Sequence, residues 1–198
     1  LGLFSGTGTG RFSPDASMTA AEAVKLAACL HSIYETGSAD FVQGDPWWQV
    51  YADYCLENSI MEDVFHDYSN AISRAQFAVL LAAALPDEVL SEMNAIADEA
   101  IPDVHVSDSY GPAVYKLYRA GVFTGTDSTG AFHPNTNIRR SEVAAVITRM
   151  VRVSERKSVT LGASSGSVLT AEQVYAKCAP SVFSMITYDA NGEIYSRG

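Results

Sequence analysis

Positive charge is scarce in this sequence: 13 Lys and Arg stand against 23 Asp and Glu, a formal charge of −10 over 198 residues. A run of phosphates would go unneutralised, so nucleic-acid binding is excluded as a function class. An anionic polymer is a poor match as well, unless positive charge is concentrated locally. Cysteine is scarce too. Cys29, Cys55 and Cys178 are far apart and odd in number, with no CxxC pair, which argues against both a zinc site and a disulfide framework. Cys29 and Cys55 fall on apolar helical stripes and read as small buried hydrophobes. No apolar run approaches the ~20 residues a membrane-spanning helix needs, so no span is expected. No leader segment is visible, and the chain opens in mid-pattern at Leu1-Gly2-Leu3-Phe4, as a trimmed mature fragment would.

Catalytic signals are equally thin. His31, His66, His105 and His133 are scattered without metal-ligand spacing, and neither a Gly-x-Ser-x-Gly elbow nor a phosphate-binding glycine loop is present. Thr7-Gly-Thr-Gly10 follows no strand and reads as loop. Asp127-Ser-Thr-Gly130 lacks the alternating oxygen ligands and closing glutamate of a calcium loop. The expectation is a chain with no catalytic residue, metal or cofactor.

What the sequence does have is repetition. Gly2-Leu-Phe-Ser-Gly-Thr-Gly-Thr-Gly-Arg-Phe-Ser-Pro-Asp15 and Gly121-Val-Phe-Thr-Gly-Thr-Asp-Ser-Thr-Gly-Ala-Phe-His-Pro-Asn135 share one order of glycine, apolar and hydroxyl residues, then Gly-x-Phe-x-Pro-Asx. An amphipathic helix follows each. Thr19-Ala-Ala-Glu22 and Ser73-Arg-Ala-Gln76 fit a capping box. Arg139-Arg-Ser-Glu142 keeps the acid without the hydroxyl, so Asn137 is the expected cap. Val143, Val146, Ile147, Met150 and Val151 form an apolar stripe, as do Phe77, Leu80, Leu81 and Ala84. A further helix precedes the loop in two copies, marked by Trp48, Tyr51, Cys55 and Leu56 and by Val114, Leu117 and Tyr118, with Gly121 placed to end the latter left-handed. The unit is helix, loop, capped helix.

The stretches Tyr110-Gly-Pro-Ala-Val-Tyr-Lys-Leu-Tyr-Arg-Ala-Gly121, Gly125 to Pro134 and Arg139-Arg-Ser-Glu142, with Pro102-Asp103-Val104 as entry, resemble an S-layer-homology repeat. Residues 41–86 resemble it through Trp47-Trp48, Tyr51 and Ser73-Arg-Ala-Gln76, and residues 1–40 resemble it from the loop onward, without a leading helix. The resemblance implies a mainly α fold, a pseudo-threefold bundle of helix–loop–helix repeats: repeat 1 over 1–40, repeat 2 over 41–86 and repeat 3 over 102–154. Between the last two, Leu90, Met93 and Ile96 at short helical spacing mark a connector over 87–101 with one or two helical turns. A flexible linker over 155–168 follows. It also implies a bacterial cell-surface protein held non-covalently to an anionic secondary polysaccharide on peptidoglycan, for example one bearing a pyruvate ketal. Arg74 and Arg140 fall at the family's arginine position, where copy one has Ala20. Asp103, Trp48, Tyr110, Gly125 and Gly130 complete the expected polysaccharide-binding set.

Physical chemistry supplies a rationale: an arginine just inside a helix start lies beside unpaired N–H groups at the positive end of the dipole, and guanidinium can grip a carboxylate with two bonds. Trp48 and Tyr110 offer flat faces to sugar rings, and the loop glycines allow close backbone approach. Each role has a plainer counterpart. The arginines can pair with carboxylates of neighbouring elements, Trp48 and Tyr110 can be core, and Gly125, Gly130 and Phe132 can be a turn and its plug.

Residues 169–198 read differently: a short helix capped by Thr170, a strand-like run from Val182 to Tyr188, and an Asn191-Gly192 turn, a β-hairpin extension. They resemble the opening strand of a trypsin-like serine protease of the high-temperature-requirement type, with nothing catalytic in them. The alternative function is therefore the targeting or regulatory part of a cell-surface protease. A lattice protein whose repeats anchor it is a third.

Overall fold

The computed structural model describes residues 13–161 and, as backbone, the strands 186–188 and 194–197. The protein divides into two compact units, Leu1–Ser164 and Ser165–Gly198. Among the described residues the first unit is helical: α1 Ala20–Thr36, α2 Gln49–Glu57, α3 Arg74–Ala84, α4 Gly111–Arg119 and α5 Arg140–Val151, closed by a 3-10 turn at Val153–Glu155. None of these helices is long and apolar enough to cross a membrane. In the second unit β1 Ile186–Tyr188 pairs antiparallel with β2 Ile194–Arg197, with a bulge between Thr187 and Tyr188. The Thr170-capped helix, the Asn191-Gly192 turn and the opening loop of residues 1–12 lie outside the described residues.

The capping boxes set the helix starts. Glu22 N donates to Thr19 Oγ1 and Thr19 N to Glu22 Oε2, and Ser73 and Gln76 exchange the same two bonds. The start of α5 corrects the expectation of an Asn137 cap. Arg139 takes the cap position with no oxygen to offer, and only the return bond, Arg139 N to Glu142 Oε2, is made. Asn137 instead pairs as a β-bridge with Ser73.

Three extended strips lead into α1, α3 and α5, and they bond to one another in a circle. Met18 N donates to Ile138 O, Ile138 N to Ile72 O, and Ile72 N to Met18 O, so each strip gives one bond and receives one. All three side chains are buried at the middle of the core. The apolar faces of the helices close over this ring, with Val24, Ala27, Phe77, Leu81, Val143 and Ile147 among the buried residues.

The helices before α3 and α5 end alike. Ile60 N and Met61 N both donate to Cys55 O, and Val122 N and Phe123 N both donate to Leu117 O. Ser59 and Gly121 take the left-handed residue at these stops, at φ 56° and 71°. At Gly121 an added Cβ would lie 2.7 Å from Lys157 O, so close approach as well as φ demands glycine.

The connector carries no helix, contrary to the one or two turns expected. Met93 N and Asn94 N both donate to Arg119 O at the end of α4, which takes the donors a helix would need. Asn94 is buried and ties three segments. Its amide Nδ2 donates to Tyr118 O and Lys157 O, and its Oδ1 accepts from Val159 N. Leu90, Ile96 and Ile101 are buried while Met93 is half exposed, so the apolar spacing reflects an irregular strap laid on the core.

Candidate functional site

The three helix starts have the same environment, and it differs from the open anion site their sequence suggests. Ala20 N donates to Asn70 O and Ala21 N to Tyr68 O; Arg74 N donates to Thr136 O and Ala75 N to Pro134 O; Arg140 N donates to Ala16 O and Ser141 N to Pro14 O. The first two donors of each of these three helices are thus spent on the loop of a neighbouring segment and are not open to a carboxylate ligand.

The arginines behave accordingly. Arg74 is 4% exposed; its Nη1 meets Glu142 Oε1, its Nε donates to Phe132 O at 2.6 Å, and its guanidinium lies over the Phe123 and Phe132 rings. Arg140 is 3% exposed and its Nη1 lies 2.5 Å from Glu22 Oε1. Each arginine therefore bridges to the third-position acid of the next helix around the ring: α3 to α5, and α5 to α1. By the same order the remaining seam joins position 20 to position 76, where the sequence has Ala and Gln. Arginine and acid are missing from the same seam, and α1 packs directly on α3 there.

Asp103 also works inward. Its Oδ1 accepts from Phe132 N at 2.8 Å and its Oδ2 from His133 N at 2.6 Å, pinning the Gly-x-Phe-x-Pro loop. Gly125 and Gly130 have φ of 83° and 79°, and a Cβ on Gly125 would lie 2.6 Å from Gly130 Cα. They form a tight turn in which Asp127 Oδ1 accepts from Thr129 N, Thr129 Oγ1 and Ala131 N. These bonds, chiefly that of the Thr129 hydroxyl, hold the Asp127 carboxyl down at about 2. His133 sits between two carboxylates, 3.7 Å from Asp103 and 3.5 Å from Asp127. Tyr110 occupies the N-cap position of α4 and packs half-buried on the core.

Trp48 is an expected site residue that lines open hollows. It holds the N-cap position of α2 and stacks on Tyr68, with ring centroids 3.9 Å apart and planes 8° from parallel. Two hollows adjoin this pair and share Trp48, Tyr68 and Ser69. One, of about 410 Å³, is completed by Gln49, Val64, Phe65, His66 and Asp67; the other, of about 340 Å³, by Thr19, Ala21, Glu22 and Trp47. The structure thus sets Trp48 beside Glu22, the carboxylate that holds Arg140. Trp47, 39% exposed, forms one wall, and Lys25 Nζ lies 5.8 Å from its ring centroid.

Sequence reasoning passed over Tyr68 and Glu22. Tyr68 stands where the other two loops have Pro14 and Pro134, as the matching bonds to Ala21, Ser141 and Ala75 show. An aromatic in a proline slot was the available signal. Glu22 was read only as a capping acid, which it also is. Among the described residues no group of His, Cys, Asp and Glu could hold a metal ion.

Residues 100–144 match the S-layer homology domain, a kind of domain generally involved in cell-wall anchoring. The matched stretch runs from the end of the connector through α4 and the pinned loop into α5. No curated protein matches the chain.

Proposed function

We propose that this chain anchors a bacterial surface protein non-covalently to a cell-wall polysaccharide, and that it performs no chemistry of its own. The S-layer homology domain at 100–144 carries the reading. We further propose that residues 13–40 and 41–86 are two more copies of that unit, arranged with it as a pseudo-threefold bundle. The circular bonds among Met18, Ile72 and Ile138, and the like stops after α2 and α4, support this.

The groove over Trp48 is the proposed binding surface, because aromatic faces stack on the C–H faces of sugars while nearby polar groups meet the hydroxyls. Arg74, Arg140, Asp103, Gly125 and Gly130 contribute indirectly, by holding the seams and the loop that shape such grooves. The polymer as a whole is proposed to be the anionic secondary wall polysaccharide expected from the resemblance. The protease alternative rests on residues 169–198, most of them outside the described residues, and no structural observation favours it.

Sedimentation of the chain with purified wall sacculi tests the proposal. Binding is expected, with loss after the wall polymer is stripped and a marked decrease for a folded Trp48→Ala variant. Equal sedimentation with intact and stripped sacculi would remove the anchoring role.

A further inference from the structure

We infer that residues 156–161, which follow the 3-10 turn after α5, are a mechanical clasp. A pull arriving along the chain from the unit Ser165–Gly198 passes through them into the connector and the end of α4 before it reaches α5. The inference rests on the anchoring proposal above and specifies how such an anchor takes its load.

Composition makes residues 155–168 read as a flexible linker, yet their first part is fastened. Arg156 leaves the turn extended, at φ −61° and ψ 150°. In an extended chain the N–H and C=O of one residue, and the N–H two residues on, face the same way. Lys157 N donates to Gly121 O at 2.9 Å, Lys157 O accepts from Asn94 Nδ2 at 3.0 Å, and Val159 N donates to Asn94 Oδ1 at 3.0 Å. The buried Asn94 amide, donor and acceptor together, thus stands in for the peptide of a neighbouring strand. Arg156 is 7% exposed and reaches two more carbonyls, Val89 O from Nη2 and Arg149 O from Nε. Val159 and Leu161 pack on the core. A Cβ on Gly130 would lie 2.2 Å from Leu161 Cδ2, so the loop glycine leaves the room that Leu161 fills.

Without these contacts, a pull on the end of α5 would unravel it one i→i−4 bond at a time and draw Met150 and Ile147 out of the core. The clasp changes the order of events. Its five hydrogen bonds lie within four residues and run to the connector, the end of α4 and α5 itself, so they share the pull. The end of α5 is exposed to it only after they fail.

The experiment pulls single molecules of the full chain at constant force. One handle is fixed at residue 79, exposed in the middle of α3, and the other sits either at the C-terminus or at residue 154, ahead of the clasp. With the C-terminal handle the helical unit is expected to survive about tenfold longer than with the handle at 154, the worth of one or two such bonds. Arg156→Met together with Val159→Pro removes three of the five bonds and is expected to erase that difference. In that variant a separate early lengthening of about 20 Å, six residues drawn out, precedes unfolding of the helices. Equal survival with the two handles in the unmutated chain overturns the clasp, and this comparison decides alone where the double variant fails to fold. A folded double variant with unmutated survival overturns it as well. Failure of the chain to sediment with sacculi overturns the anchor instead, whatever the survival times.

Discussion

Replacing Glu142 by Gln tests whether the helix-start arginines hold the fold or the ligand. The glutamine keeps the shape and the acceptor for Arg139 N but removes the charge facing Arg74, a guanidinium 4% exposed. Removing one partner of a buried pair costs about 3–5 kcal/mol. Glu142 is itself 36% exposed, and Arg74 keeps its bond to Phe132 O, which places the expected loss at the lower end, about 3 kcal/mol. For a unit of this size that lowers Tm by about 6–12 °C. Arg74→Met together with Glu142→Gln removes both charges, and the double variant is expected to recover about 2 kcal/mol relative to the sum of the single losses. Urea unfolding of the four proteins completes the cycle. Sacculus binding measured where all four are folded is expected to be unchanged. A Glu142→Gln loss below about 0.5 kcal/mol with additive singles, or lost binding in a fully folded Arg74→Met protein, would refute the bridging role.

Two further outcomes are expected. Cys55 is wholly buried and its thiol is pushed up to about 12, mainly by burial, so the native protein should resist alkylation there at neutral pH and react only as denaturant unfolds it. Rapid native labelling of Cys55 would contradict this packing. Asp127 is held at about 2 against an ordinary value of 3.8, so its contribution to the loop is complete above 3.8 and is lost as pH falls toward 2. Protection of the Thr129 and Ala131 amides, relative to their intrinsic exchange at each pH, should fall as pH is lowered through that window and stay constant there in Asp127→Asn.

What was legible in the sequence was local. Thr19, Glu22, Ser73 and Gln76 sit three positions apart, and their boxes form as the spacing predicts. The α3 stripe buries as read, since helical period alone determines which side chains share a face, whereas the α5 stripe buries Val143, Val146, Ile147 and Met150 but leaves its last member, Val151, 42% exposed. The fate of the arginines was not legible, because the acids they meet lie 68 and 118 positions away. A helix start seen alone has orphan N–H groups, and only the ring shows that neighbouring loops take them. Ala20 is visible in the sequence as the position lacking the arginine; only the ring order sets it against Gln76, an arginine and an acid absent together. The connector misled through Leu90, Met93 and Ile96, whose spacing suits a helix, while Arg119 O takes the N–H groups of Met93 and Asn94.

The circle closed by Met18, Ile72 and Ile138 has no first or last member. In an open solenoid each module leans on its neighbours and stabilities sum along the array, so an end module can fray or be trimmed. Here, detaching any one segment strands a donor on one neighbour and an acceptor on the other. Melting should therefore be all-or-none across residues 13–161, and none of the three strips can be removed without opening the loop of bonds.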